Sequence, residues 1–470
     1  MSFSAVGTCL PCHSISYPRG SLVFKPPHAS SSSLSLSPAP PAKTGVIVVG
    51  AGLAGLAAAT HLRSKNIPFL LLEASDGVGG RVRTDFVDGF LLDRGFQIFI
   101  TAYPEAQALL DYQSLRLQKF YSGALVYFDG QFHTVADPLR HFTDSLASLT
   151  NPIGSVIDKL LIGLTRARVL GKSDREIFTA GEASTMELLK EIGFSDSIIT
   201  RFFRPFFGGI FFDPELETSS RLFNFIFKCL ALGENTLPAN GIGAIPQQLA
   251  ANLPPETILL NSRVVSVDFE SKSPIVKLQS GEIIASEMGV IVAVEEPEAE
   301  RLLAGRRKIG SRKPPRSTVC LYFAADRDRI PVREPVLFLN GSGKGIVNNM
   351  FFATNVAPSY GPAEKVLVSV SLIGKFEDVG DEDLTAEVIR EMSDWFGEST
   401  IEGWKHLRTY RIGFAQPNQS PPSDLMKDPT VESGLYVCGD YLTSATFDGA
   451  LVSGRKAVEA LVRERAVAYV

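Results

Sequence analysis

An α/β fold is predicted for this chain: a discontinuous Rossmann-type dinucleotide-binding domain interleaved with a mixed α+β substrate domain. Three observations predict it. Residues 46–84 read VIVVGAGLAGLAAATHLRSKNIPFLLLEASDGVGGRVRT, a strand, a glycine turn, a helix and a second strand in order. Residues 434–454 read GLYVCGDYLTSATFDGALVSG, a short apolar strand that runs into Gly439-Asp440 and then a helix start. Between them, helical periodicity in 116–237 gives way to alternating, β-branched segments in 301–404.

The first block assigns a task to each residue of Gly50-Ala51-Gly52-Leu53-Ala54-Gly55. Gly50 permits the strand-to-helix turn, Gly52 leaves room for a pyrophosphate against the backbone, and Gly55 lets helix and sheet approach. The helix N-terminus directs unpaired N–H groups and a positive dipole end at the phosphates. Glu73 ends the second strand 23 residues after Gly50, placed to accept hydrogen bonds from ribose hydroxyls. The glycines that follow, Gly77, Gly79 and Gly80, lead to Arg81, Arg83 and Thr84. Such a loop lies against the pyrophosphate and flavin of FAD, with Arg81 as a charge-assisted donor; a nicotinamide cofactor does not require it.

With Gly89-Phe90-Leu91-Leu92-Asp93-Arg94-Gly95 added, the chain resembles the flavin-containing amine oxidase and phytoene desaturase superfamily, which includes protoporphyrinogen oxidase and the carotene isomerases. The resemblance spans roughly residues 44–465 and implies FAD, with further contacts at Ala74, Gly95 and Phe96. At the far end, Asp440 after Gly439 is placed for ribitol hydroxyls or a phosphate-linked water. Gly449-Ala450 opens a last helix whose amides face the flavin pyrimidine and stabilise charge on the reduced ring. Asp448 lies close to the ring in the family arrangement, although a structural role at the helix N-terminus suits it better. Leu259–Val267 resembles the strand that brackets the adenine, with Val264 at the matching position; its side chain is read equally as ordinary core.

Because these motifs stand far apart, the FAD domain is assigned to 44–115, 238–300 and 405–470, and the substrate domain to 116–237 and 301–404. Helices are expected at Pro152–Leu170, Thr185–Ile192 and Asp383–Phe396. Strands are expected at Thr318–Phe323, Val336–Leu339 and Lys365–Leu372. Gly341–Gly345 lacks P-loop spacing and reads as a hairpin turn. The segment Arg201–Leu230 carries nine phenylalanines. Three readings stay open for it: an aromatic core beneath the flavin, the lining of an apolar substrate channel, or a monotopic membrane patch flanked by Arg201, Arg204 and Lys228.

Composition bounds the rest. The chain has 470 residues, 45% of them hydrophobic and 21% charged, and a formal charge of −5. No basic stripe speaks for nucleic acid. Residues 1–43 contain eleven serines, seven prolines and no acid, and read as a plastid transit peptide. Cys229, Cys320 and Cys438 are too scattered for a disulfide framework, and the histidines are too dispersed for a metal site. The chemistry expected is oxidation of a hydrophobic plastid metabolite, carotenoid-like or another isoprenoid, by hydride transfer to flavin. Electrons then pass to a quinone or oxygen, and peripheral membrane contact is an accompanying expectation. No catalytic base is named; Tyr410, Arg411 and Phe414 edge the site or pack the sheet. One of the paired tyrosines of the monoamine oxidases falls on Thr446, which argues against simple amine oxidation. A redox-neutral isomerase and a non-catalytic flavin protein remain alternatives.

Overall fold

Lys43–Val49 (β1) and Phe69–Leu72 (β2) are apolar runs, buried from Gly45 onward in β1 and throughout β2, and they pair in parallel with Val46 opposite Phe69. Leu53–Ser64 (α1) crosses between them. The computed structural model that establishes this describes residues 43–136, 151–269, 274–303, 305, 306, 309 and 313–468. The transit-peptide expectation thus lies outside the described residues, apart from Lys43, which begins β1.

On its other edge β1 runs parallel to Ile283–Val292. That long strand serves two neighbours: its first residues pair with Ile275–Leu278, its last with Leu435–Val437. The C-terminal glycine segment is thereby placed two strands from the N-terminal one, although nearly 390 residues separate Gly50 from Asp440. The final helix, Phe447–Ala468, packs on α1. Their crossing is close because Gly454 has no side chain; a Cβ there would lie 2.2 Å from the Ala54 carbonyl oxygen. Alanines 57 and 58 keep the α1 side of this crossing equally low.

A second, seven-stranded sheet has the order 405–416, 316–326, 365–373, 347–352, 337–340, 123–128, 131–136. One face is covered by Asp381–Phe396 through Leu384, Val388 and Met392, which recur at helical spacing. The other face looks toward the cofactor half. Helices Val156–Leu170, Asp174–Thr179 and Thr185–Ile192 start with capping boxes, Ser155 with Asp158, Ser173 with Glu176 and Ser184 with Glu187. The expected helices and strands recur within a few residues at each end, and the Gly341–Gly345 stretch joins two antiparallel strands.

Three expectations are corrected. Leu259–Val267 is not one strand: Ile258–Leu259 joins β2, Val264–Asp268 joins Ile275–Leu278, and Asn261 at φ +53° turns the chain between them. Lys405–Gln416, assigned to the cofactor domain, pairs with Arg316–Asp326 in the second sheet, so the return to the first sheet comes later. The aromatic segment does not form a membrane patch. Phe203, Phe207, Phe223 and Phe225 are buried, with the Phe207 and Phe223 ring centres 4.6 Å apart. Its flanking cations are engaged: Arg201 donates to the Pro152 carbonyl and lies over the Phe128 ring, Arg204 pairs with Glu215 and Lys228 with Asp174.

Candidate active site

Gly50 leaves β1 at φ +103°, and its N–H donates to the Leu72 carbonyl at 2.7 Å. A Cβ on Gly55 would sit 1.9 Å from the Gly50 oxygen, so helix and turn could not approach this closely with any other residue. Gly52 is different: a Cβ there meets nothing within 4 Å. A Cβ on Gly80 meets only the Gly52 Cα, at 3.4 Å. The two glycine loops, bridged at Gly52 and Gly79, leave room of the kind a pyrophosphate fills at a helix N-terminus.

Glu73 braces this turn from inside. Its Oε2 accepts from the Ala51 N–H at 2.8 Å, and its Oε1 accepts from the Ser75 N–H at 2.8 Å and hydroxyl at 2.7 Å. A carboxylate has about four acceptor positions, so roughly one remains for a ligand hydroxyl. Glu73 lines two adjoining cavities. One has a volume of about 590 Å³. The other, of about 80 Å³, is walled by Ala74 and Val264 and shares Gly50, Glu73 and Val294 with the first.

The large cavity gathers most residues singled out in the sequence. Gly50, Gly52, Leu53, Ala54 and Glu73 come from the first block; Gly80, Arg81, Gly95 and Phe96 from the second; Gly439, Asp440 and Ala450 from the C-terminal segment. Ala51 and Gly55 stand behind the turn, the first bonded to Glu73 and the second pressed on Gly50.

Arg81 is not a free donor. It donates to Asp440 Oδ2 at 2.8 Å and to the Ala415 carbonyl at 2.7 Å, with Glu295 3.6 Å from its Nε. It therefore ties the N-terminal glycine loop to the C-terminal segment. Asp440 keeps its other oxygen, Oδ1, buried and without a hydrogen-bond partner. A buried acceptor left open beside a glycine cradle is the environment a ribityl or ribose hydroxyl satisfies, so the residues present fit FAD.

Asp448 and Gly449 do not line the cavity. Asp448 Oδ1 accepts from the N–H groups of Glu105 at 2.7 Å and Ala106 at 3.3 Å, capping helix Pro104–Leu109. Burial pushes its carboxyl up to about 6, partly offset by those two donors. Gly449 donates to Thr446 Oγ1 at 2.9 Å, so its amide is already occupied. Among the flanking residues, the Tyr410 hydroxyl donates to Asp85, and Arg411 is fully engaged by Asp381 and the carbonyls of Phe376 and Val379.

Among the lining residues not singled out in the sequence, Glu295 and Asn349 carry chemistry. Glu295 follows Ile283–Val292 beyond its C-terminal end, the edge where open α/β sheets bind ligands; its side chain is about half exposed, and partial desolvation raises its carboxyl against the pull of Arg81. Asn349 is half of an Asn-Asn pair that interrupts an apolar strand, VNNMFF. The lining also includes an apolar group, Phe206, Ile210, Phe211 and Phe212 of the aromatic segment with Leu337 and Leu339 of the second sheet. That segment therefore divides between core and lining.

The family described as flavin containing amine oxidoreductase matches residues 53–462. A chloroplastic/chromoplastic 15-cis-phytoene desaturase from an Oncidium hybrid cultivar is 24% identical, over 89% of this chain and 78% of that protein. Protoporphyrinogen oxidase 2, chloroplastic/mitochondrial, of Arabidopsis thaliana is 28% identical over 35% of this chain, a match spanning only 32% of that protein's length. A crystal structure of a protoporphyrinogen oxidase homologue from Exiguobacterium sp. 255-15 superimposes with a TM-score of 0.68 at 17% identity, covering 89% of this chain and 98% of the other.

Proposed function

From the premise that this chain belongs to the flavin containing amine oxidoreductase family and is an FAD-dependent oxidoreductase, we propose that it desaturates a hydrophobic plastid metabolite, carotenoid-like or another isoprenoid. The observation that carries this reading is the continuity of one cavity, from the glycine cradle and Asp440 to a wall of Phe206, Ile210, Phe211 and Leu339. An apolar molecule seated on that wall exchanges water for hydrocarbon contact, about 25 cal/mol for each Å² buried. Bound FAD supplies the two-electron acceptor.

The chain's own residues hold and shield. Gly52 and Gly80 admit the pyrophosphate, Glu73 and Asp440 accept from sugar and ribityl hydroxyls, and Ala74 and Val264 border the adenosine end. The cavity's carboxylates are Glu73, Glu295 and Asp440, each tied to the turn or to Arg81, which disfavours a cationic amine at the apolar wall. A quinone or oxygen takes the electrons onward. The plastid setting is supported by the leader's composition and by the chloroplastic relatives. Peripheral membrane contact belongs to the same reading, since a lipophilic substrate partitions into bilayers. Among the described residues no helix is long and apolar enough to cross a membrane.

Anaerobic mixing of the FAD-loaded protein with fractionated plastid lipids tests the proposal. The oxidised flavin absorbance is expected to bleach with an apolar fraction, leaving a product lighter by two hydrogens. A product of unchanged mass would make the protein an isomerase instead. Bleaching by amines and by no lipid fraction would overturn the proposal.

A further inference from the structure

Asn349 has an unpartnered amide NH₂ and lines the cavity. It sits on Val347–Phe352, where Met350 and Phe352 turn to the helix-covered face. Asn349 and Phe351 take the other face; Phe351 packs on Phe96 and Phe120, both cavity residues. Asn349 lines the cavity and is 2% exposed.

The orientation of its amide follows from a chain of bonds. Asn348 Nδ2 donates to the Pro205 carbonyl at 2.9 Å, which fixes which end of that amide points inward. The same nitrogen donates to Asn349 Oδ1 at 2.8 Å. Turning the Asn349 amide over would set two NH₂ groups against each other. Asn349 Nδ2 is therefore held on the other side, buried and without a partner. Neither cross-strand neighbour bonds to it: Leu339 is apolar, and Ser371 Oγ lies outside hydrogen-bond reach of Nδ2. A buried amide donor left open disfavours the empty site and favours a ligand that brings an acceptor.

We infer that Asn349 reads a neutral oxygen acceptor on the substrate, so that the substrate class is an apolar molecule bearing a carbonyl or hydroxyl oxygen rather than a pure hydrocarbon or an amine. This rests on the proposed reading of the cavity as a substrate site and narrows it. An ammonium group offers only donors and gains nothing from Nδ2, and a hydrocarbon leaves it unpaired. Asn349 acts here as a specificity-determining residue, not as a participant in the redox step.

Calorimetric titration of the FAD-loaded protein with decane, 2-decanone and 1-aminodecane tests the inference. In the wild type, 2-decanone is expected to bind about tenfold more tightly than decane, the worth of one buried hydrogen bond, and the amine no better than decane. Asn349→Leu keeps the volume and leaves Asn348 bonded to Pro205; it is expected to bind decane unchanged and to lose the ketone preference. Equal wild-type affinities for decane and 2-decanone overturn the inference while the apolar-substrate reading stands, as does a ketone preference that persists in Asn349→Leu. Failure of all three probes to bind removes that reading, and the inference with it. Should Asn349→Leu not fold, Asn349→Met takes its place, and the wild-type ranking decides on its own.

Discussion

A side chain at position 52 would project into open space, with φ −71° and ψ 179°, a backbone any residue adopts. Three residues on, a side chain at position 55 would strike the Gly50 carbonyl. The polypeptide itself requires a glycine at position 55 and not at position 52; the role proposed for Gly52 is toward the ligand. Gly52→Leu is therefore expected to unfold, in the FAD-free state, within about 0.5 kcal/mol of the wild type, yet to purify without flavin. Gly55→Ala is expected to destabilise the FAD-free protein by about 1–3 kcal/mol, because backbone must shift. Denaturant unfolding and flavin content, measured on both variants, check this; a Gly52→Leu protein that holds flavin normally would remove Gly52 from the site.

The helix Val156–Leu170 shows how an element acquires two faces. Asp158 is buried and accepts from the Ser155 and Ser195 backbone and hydroxyl groups, and Thr165 and Val169 turn inward with it. This anchors one side. Val156, Ile157, Leu160 and Leu164 occupy an arc of about 100° on the opposite side, each 57–68% exposed. An anchored helix with an apolar outer stripe is the form that lies in a membrane interface. We propose this exposed stripe, rather than the aromatic segment, as the surface for the membrane contact of the proposed function. Ile157→Asp combined with Leu160→Asp is expected to abolish flotation with phosphatidylcholine–phosphatidylglycerol vesicles and to leave flavin content unchanged. Flotation that survives both substitutions would move the contact elsewhere.

At the scale of the molecule, Asp93 joins the cofactor half to the second sheet. Its carboxylate accepts from Thr84 Oγ1, the Ile242 N–H and the Tyr360 hydroxyl, and its carbonyl accepts from the Tyr322 hydroxyl. Burial pushes this carboxyl up to about 6, against the pull of those donors. The folded protein therefore holds a proton there that the unfolded chain releases near pH 4. The stability from that proton is complete below about pH 4 and is lost as the pH rises through about 6. Relative to Asp93→Asn, the wild type is expected to lose about 3 kcal/mol across that window. Asp448 titrates in the same range but is common to both proteins, so it drops out of the difference. Urea unfolding of the pair from pH 4 to 7 measures it, and a difference that is flat or rises with pH contradicts the assignment.

The glycine turn, the acid that closes β2, the helical periods of Pro152–Leu170 and Thr185–Ile192 and the hairpin at Gly341–Gly345 were all legible in the sequence. Each depends on neighbours a few residues away: a positive φ or a 3.6- or 2-residue period. Partner choice over long distances was not legible. That Arg81 would be spent on Asp440, 359 residues on, and that Asp448 would turn from the cavity to cap Pro104–Leu109, were set by packing. So were the placement of Lys405–Gln416 in the second sheet and the division of nine phenylalanines between core and cavity wall. A sequence period specifies which face of an element is apolar; only the assembled layers determine what that face meets. Cavity, orphaned Asp440 oxygen and open Asn349 amide all follow from that meeting.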